Sequence, residues 1–358
     1  FYLMFFPYYF KGPDLPPFTP HLEGDIRLTP DEDKLLTEHY FQSLAVSRDA
    51  HAAFAVFGGK APHGHGIVAG GCTVGVDADR INRYRGYLVT ILDFINYVML
   101  PDVEFLVERY PEYVNLGKGN GNFLSVGGFN QPDGSSLISE GVVLQDKYQP
   151  FNGDLITEEA TTAWYKPTEP VHPWQIRTEP DRNQPAGYTW NKAPRYQGQA
   201  MEVGPLARAV VAKEKIIGYG ALARHWSRVM EAKKIAEASM IWLKRLVPGA
   251  ETLNTKIEQD SGMGIGYVEA MRGSLSHWCK IEKGRVKHYQ IITPSTWNFA
   301  SRDKEGNCSV GELSIRGLTI KLPELKEAGR VIRSFDPCFS CSVHLLDGEK
   351  LRTLEVRV

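Results

Sequence analysis

Asp336-Pro337-Cys338-Phe339-Ser340-Cys341-Ser342-Val343-His344 places three soft or borderline metal ligands within seven positions, close to the end of the chain. Nothing else in the sequence concentrates as much potential chemistry. A C-x-x-C pair brings two sulfurs to one side of a turn, where two thiolates can share one ion. Such donors select soft or borderline metals, whereas hard oxygen sites hold magnesium or calcium. The same spacing also serves redox disulfides and half-sites for zinc. Taken alone, the motif leaves transition metal, redox pair and structural zinc all open.

Four further stretches carry the reading outward. Phe57-Gly58-Gly59-Lys60-Ala61-Pro62-His63, followed by Gly70-Gly71, is the first. Glu202-Val203-Gly204-Pro205-Leu206-Ala207-Arg208 and Arg272-Gly273-Ser274-Leu275-Ser276-His277-Trp278 come next. Pro294-Ser295-Thr296-Trp297-Asn298, with Arg302-Asp303, is the fourth. In this order, and with the terminal motif, they resemble the large subunit of the nickel–iron hydrogenases. The resemblance spans nearly the whole chain.

That resemblance implies a catalytic subunit interconverting dihydrogen with protons and electrons. Cys338 corresponds to a terminal nickel thiolate and first proton acceptor, and Cys341 to a sulfur bridging nickel and iron. The iron of such centres also carries carbon monoxide and cyanide, which no side chain supplies. His344 and the backbone carbonyl of Ile291 match ligands of a magnesium-like ion. Arg272 corresponds to a guanidinium over the open coordination site, with Asp336 as its carboxylate partner. Ser295 matches a hydroxyl donor to cyanide, while Pro294 and Leu275 match apolar walls around carbon monoxide. A buried anion needs such donors, because burial without them is costly. For Ser295 the competing reading is a helix cap ahead of Thr296. Met271 stands where the family usually has proline. His63 and Glu202 read as scaffold, and Cys72, Cys279 and Cys308 as incidental thiols, small hydrophobes by default.

Composition agrees with a packed enzyme. The chain has 358 residues, 42% hydrophobic and 11% aromatic, with 41 basic against 42 acidic residues. A net charge of −1 leaves no electrostatic footprint for nucleic acid. Five cysteines are too few for a disulfide framework, and with two in the terminal motif they cannot hold an iron–sulfur relay. Electrons must then pass to an iron–sulfur small subunit. No apolar run reaches the roughly 18 residues of a membrane span. Phe1–Phe10 reads as a buried helix end.

The chain reads as α+β and predominantly helical, a long-helix bundle core with an irregular β-rich insertion. Thr29, Pro30 and Glu32 compose a capping box for a helix running to Val56 and ending at Gly58-Gly59. A second helix is predicted over Asp77–Leu100, with Asp102–Tyr110 continuing beyond Pro101. Gly117–Ala200 is the β-rich insertion, with strands over Leu137–Gln145 and Ala160–Tyr165. Pro205–Val247 reads as two helices or one kinked at Gly218–Gly220. Val286–Ile292 alternates as a strand, and Val310–Phe335 carries one or two more helices. The whole of 1–358 is read as one large-subunit domain, partial at its N-terminus, with 345–358 as a removable C-terminal extension.

Family members carry a second C-x-x-C near the N-terminus, and residues 1–50 contain no cysteine. A missing segment or separate polypeptide is therefore expected to supply the remaining thiolates. Two other functions compete. A metal-free structural or electron-transfer relative of the same fold has no need of Cys338, Cys341, Arg272 and His344. A zinc or thiol redox protein leaves Arg272-Gly273 and Pro294–Asn298 unexplained. Resemblance to uptake-type members favours a periplasmic or membrane-associated complex over a cytoplasmic one.

Overall fold

The computed structural model describes residues 2, 8–15, 19, 21, 24–131, 133–254, 260–320, 325–338, 344–347 and 350–353, the last two stretches as backbone only. Helix α1 (Pro30–Gly58) starts as the sequence requires. Thr29 Oγ1 accepts from the Glu32 N–H while the Glu32 carboxylate accepts from the Thr29 N–H. Gly59, at φ 83°, ends the helix in a conformation that favours glycine.

Helix α2 (Ala78–Phe94) is capped by Asp77 and does not stop before the proline. A π turn over Ile95–Met99 joins it to α3 (Leu100–Arg109). The widened turn bonds Leu100 N–H to Ile95 O, immediately ahead of Pro101, which has no N–H to offer an α-helical ladder.

Short strands β1 (Ile67–Val68) and β2 (Gly71–Cys72) close a small hairpin behind α1. Strands β3 (Phe123–Asn130), β4 (Ser136–Leu144) and β5 (Lys147–Gln149) then build an antiparallel sheet. Strand β6 (Ile156–Glu159) pairs with β7 (Ala193–Tyr196). The strand expected at Ala160–Tyr165 is not there; the extended segment lies just before it. Thr161-Thr162 looks like a strand in sequence, but the Thr161 hydroxyl turns back to the Glu159 carboxylate at 2.6 Å. Such local side-chain bonding competes with a sheet ladder.

Helices α4 (Pro205–Val211) and α5 (Ala221–Leu243) are separate rather than kinked. Between them Gly218 and Gly220 press on the backbone of Val114–Leu116, where a Cβ would come within 2.5 and 2.4 Å of carbonyl oxygens. Beyond α5 the sequence reading misses two strands, β8 (Gly262–Ala270) and β9 (Gly273–Glu282), which join β10 (Arg285–Ile292) in the order β10-β9-β8. Gly262, Gly264 and Gly266 hide β8, because glycine carries no strand propensity. Short helices α6 (Pro294–Asn298), α7 (Val310–Ile315) and α8 (Lys326–Ser334) follow. A final hairpin pairs β11 (His344–Asp347) with β12 (Lys350–Thr353).

Two cores result. A helical core gathers Tyr9, Leu106, Tyr110, Leu222, Trp226, Val331 and Phe335. A sheet core gathers Leu124, Val142, Val203, Trp278, Ile292 and Trp297. Helix α8 belongs to the first and is fixed by a buried cation. Arg330 donates to the Asp25 carboxylate at 2.7 Å, to the Tyr8 and Asp25 carbonyls, and to the Tyr113 hydroxyl. The rings of Tyr9, Tyr110 and Tyr113 enclose its guanidinium at 4.7–4.9 Å. Removing a buried, fully bonded charge partner is costly, so Arg330→Ala is expected to lower stability by about 3 kcal/mol. Chemical denaturation followed by far-UV circular dichroism measures it; a loss near zero would contradict this role.

Candidate metal centre

The β8–β9 hairpin decides where Arg272 points. Ala270 pairs with Gly273, so Met271-Arg272 is a two-residue tip. Gly273, at φ 136°, has no room for a side chain: a Cβ would lie 2.5 Å from Val203 Cγ2 and 2.7 Å from the Gly204 nitrogen. A Cβ on Gly204 would in turn meet the Arg272 carbonyl at 3.0 Å. Two glycines thus let the tip lie flat against Val203-Gly204. Arg208 holds it from behind, donating to the Ala270 carbonyl at 3.1 Å and the Met271 carbonyl at 3.2 Å. Glu231 and Glu269 neutralise that guanidinium.

Helix α6 is tied to the same place. Thr293 caps it, its Oγ1 accepting from the Thr296 N–H, and Pro294 fills the first turn and is buried. The cap is therefore not Ser295, whose hydroxyl oxygen instead accepts from the Cys338 N–H at 3.3 Å. Asn298 pairs its side-chain amide with both backbone groups of Val203, at 3.0 Å each. Three of the sequence stretches are thereby joined through backbone, not merely adjacent.

The segment before Cys338 is gripped from the helical side. Arg224, on α5, pairs with the buried Glu202 carboxylate at 2.7 and 3.1 Å. It also donates to the Gly117 carbonyl and the Ser334 hydroxyl, and lies 3.7 Å over the Phe335 ring. Arg228, one turn on, donates to the Ser334 carbonyl at 2.9 Å. Burial pushes its guanidinium down to about 10, opposed by the Asp336 and Glu231 carboxylates. Donors of this kind satisfy the free carbonyls at a helix C-terminus. His225, fully buried beside Arg228, is held well below the ordinary imidazole range by that burial.

Asp336 follows with φ 53°, turning the chain out of α8. Arg272 reaches it from the other side, Nε donating to the Asp336 carbonyl at 2.7 Å and a terminal nitrogen standing 3.2 Å from Oδ1. Asp336 is buried, Arg272 is partly exposed, and Cys338 is an exposed free thiol.

The structure thus brings Arg272, Asp336, Ser295 and Cys338 together. Leu275 is partly buried on β9, and Ile291 lies on β10 opposite His277. Cys341 and the side chain of His344 lie outside the described residues. His63 is exposed, and Gly70-Gly71 lies against Thr252–Asn254. Among the described residues no three His, Cys, Asp or Glu side chains form a metal cluster. The donors present nevertheless suit a thiolate-bound centre: a free sulfur, a fixed guanidinium, and a hydroxyl whose oxygen already accepts from the Cys338 N–H, leaving its own proton to donate. Sequence reasoning gave no role to Arg208, Arg224 or Arg228. Its available signal was the pair Arg224 and Arg228, four apart on one helix face.

The model of the nickel-dependent hydrogenase family matches residues 10–217 and 218–344. The chain belongs to that family. It is 30% identical over 381 residues to the periplasmic [NiFeSe] hydrogenase large subunit of Desulfomicrobium baculatum, covering 95% of this chain and 74% of the relative. It is 31% identical to the quinone-reactive Ni/Fe-hydrogenase large chain of Wolinella succinogenes, covering 93% and 67%. The structure of the Ni-Fe-Se hydrogenase from D. vulgaris Hildenborough superposes with a TM-score of 0.90 at 29% identity, over 94% of this chain and 77% of that one. The hydrogenase large-subunit fold, mixed α+β as the sequence predicts, is therefore present along the chain.

Because the hydrogenase tip depends on Gly273, Gly273→Ala is expected to cost about 3 kcal/mol through overlap and backbone strain. Denaturation midpoints report the loss. A variant as stable as the parent would show that the tip can be displaced without consequence.

Proposed function

We propose that this hydrogenase large subunit cleaves and forms dihydrogen at a nickel–iron centre held by Cys338 and Cys341. The supporting observation is the convergence of Arg272, Asp336 and Ser295 on the backbone that carries Cys338. When bound, such a centre supplies an electron-rich site that polarises dihydrogen and releases electrons. The protein's own residues then handle the proton and the geometry. Cys338 Sγ, exposed and two residues beyond the Asp336 that Arg272 holds, takes the proton of an uneven split. Arg272 offers a planar fork of donors, held against the backbone two residues before Cys338. Asp336 holds that fork in place, since one carboxylate oxygen and the carbonyl of the same residue both receive it.

Ser295 is assigned to a cyanide on iron, with Pro294 and Leu275 walling carbon monoxide. His344 and the Ile291 carbonyl are assigned to a magnesium-like ion. Two further thiolates come from a C-x-x-C outside residues 1–358, and electrons leave through an iron–sulfur small subunit, as the large-subunit naming of the relatives suggests. A periplasmic or membrane-associated complex is the preferred setting, since one relative is named periplasmic. No described helix is long and apolar enough to cross a membrane. Residues 345–358 are read as a removable extension. Protein purified from active cells is then expected to end at His344 by intact mass, and one ending at Val358 would refute the processing.

Elemental analysis of the purified complex is expected to give nickel and iron in equal amounts, with infrared bands of metal-bound carbon monoxide and cyanide. Zinc alone would overturn the proposal. Arg272→Lys keeps the charge but loses the fork, and should lower kcat by about 10²-fold, as loss of a preorganised donor does elsewhere. Metal content should be unchanged. Ser295→Ala should move a cyanide band; a spectrum identical to the parent's would remove Ser295 from the site.

A further inference from the structure

The end of the β10-β9-β8 sheet farthest from Arg272 stands out of the core. Trp278 is fully buried, but Ile265, its partner across the ladder, is already 41% exposed. Met263, the next position on the same face, is 61% exposed. On the opposite face Ile281 and Val286 pair with each other and are 38% and 62% exposed. Both faces of the sheet end thus carry aliphatic side chains into water. An antiparallel sheet that only closed a core would be polar on its solvent face. The tip between β9 and β10 is also fixed in place. Lys283 (φ 51°) and Gly284 (φ 68°) form a two-residue turn with both residues left-handed, the geometry that matches strand twist. The approach to β8 supports it: the Lys283 N–H donates to the Ser261 hydroxyl at 2.9 Å and the Gly284 N–H to the Asp260 carbonyl at 2.7 Å.

The same end is basic. Lys280, Lys283, Arg285 and Lys287 stand against two carboxylates, Glu282 and Asp260, in a chain whose net charge is −1. Lys280 takes Glu282 at 2.8 Å, Lys287 acts on that same carboxylate, and the Asp260 carboxylate accepts from the Ser261 hydroxyl at 3.0 Å. Among the described residues no carboxylate pairs with Lys283 or Arg285. We propose that this sheet end docks on an anionic lipid surface. The lysine and arginine heads stay at the level of the lipid phosphates, while their stems and the neighbouring aliphatic side chains enter the acyl boundary. Shape and charge together select lipid over an acidic protein surface. The aliphatics project from both faces of a narrow edge, which a fluid layer surrounds and a flat partner covers on one face only. The unpaired cations lie at the tip of that edge, where phosphate groups would meet them. The proposal does not depend on the nickel–iron reading and goes beyond it, giving this chain a lipid contact of its own. Met271-Arg272 is the turn at the other end of the same sheet, so docking leaves it clear of lipid.

The test is sedimentation of the purified complex with lipid vesicles. Phosphatidylcholine vesicles are expected to leave the complex in solution. Added phosphatidylglycerol should carry it down, less so as salt rises. Lys283→Gln and Arg285→Gln should each weaken binding to the phosphatidylglycerol vesicles roughly fivefold. Val286→Ser should weaken it roughly tenfold through lost apolar burial. All three side chains are exposed, so far-UV circular dichroism and dihydrogen turnover should match the parent. Lys34→Gln, which removes an exposed cation from α1, should bind as the parent does. No binding to either vesicle, or equal binding to both, would overturn the proposal. Parent-like binding by the three hairpin variants would do the same, even if another subunit brings the complex to the membrane. Loss of an acidic polypeptide from the complex in those variants, with vesicle binding unchanged, would assign the sheet end to a protein contact instead.

Discussion

Three guanidinium groups converging on Ser334–Asp336 are the constraint on which the rest of the site depends. Arg224 and Arg228 come from one helix and Arg272 from a hairpin tip on the other side. Together they satisfy the carbonyls of Ser334 and Asp336 and the Asp336 carboxylate, groups that would otherwise be buried without partners. Orphaned backbone at a helix end is expensive, so the chain leaves α8 in one direction only. Cys338 is two residues beyond that anchor. Its position follows from those arginines and from the Ser295 hydroxyl that accepts from its N–H.

The same arrangement explains why two cores meet here. Phe335 belongs to the helical core and Val203 and Trp297 to the sheet core. Asn298 and Gly273 clamp Val203 and Gly204 through backbone, and Glu202, the preceding residue, clamps Arg224. A load on one core is therefore transmitted to the other through a handful of residues with almost no spare volume. Tight packing of this sort allows discrete positions rather than gradual ones. Reactive groups on opposite sides of the seam can then be held within hydrogen-bonding distance of each other.

Electrostatically the seam is densely charged and balanced. Arg208 is matched by Glu231 and Glu269, Arg224 by Glu202 and Arg272 by Asp336, while the Asp336 and Glu231 carboxylates both act on Arg228. Four guanidinium groups thus meet four carboxylates close to the backbone that carries Cys338.

Much of this was legible in the chain itself. The capping box at Thr29, the terminal Cys338 motif and the order of the five stretches required no coordinates, because each is a local pattern with a local cause. The Arg272–Asp336 pair was readable only through the resemblance. Strand β8 was not readable, since its glycines suppress the local signal, and the false strand at Ala160–Tyr165 arose because threonines imitate one. Tertiary structure alone decided that Ser295 serves Cys338 and not its own helix, and that Arg224 and Arg228 hold the anchor. These depend on groups from 43 to 110 positions apart meeting in space, a condition set by packing and invisible to any window of sequence.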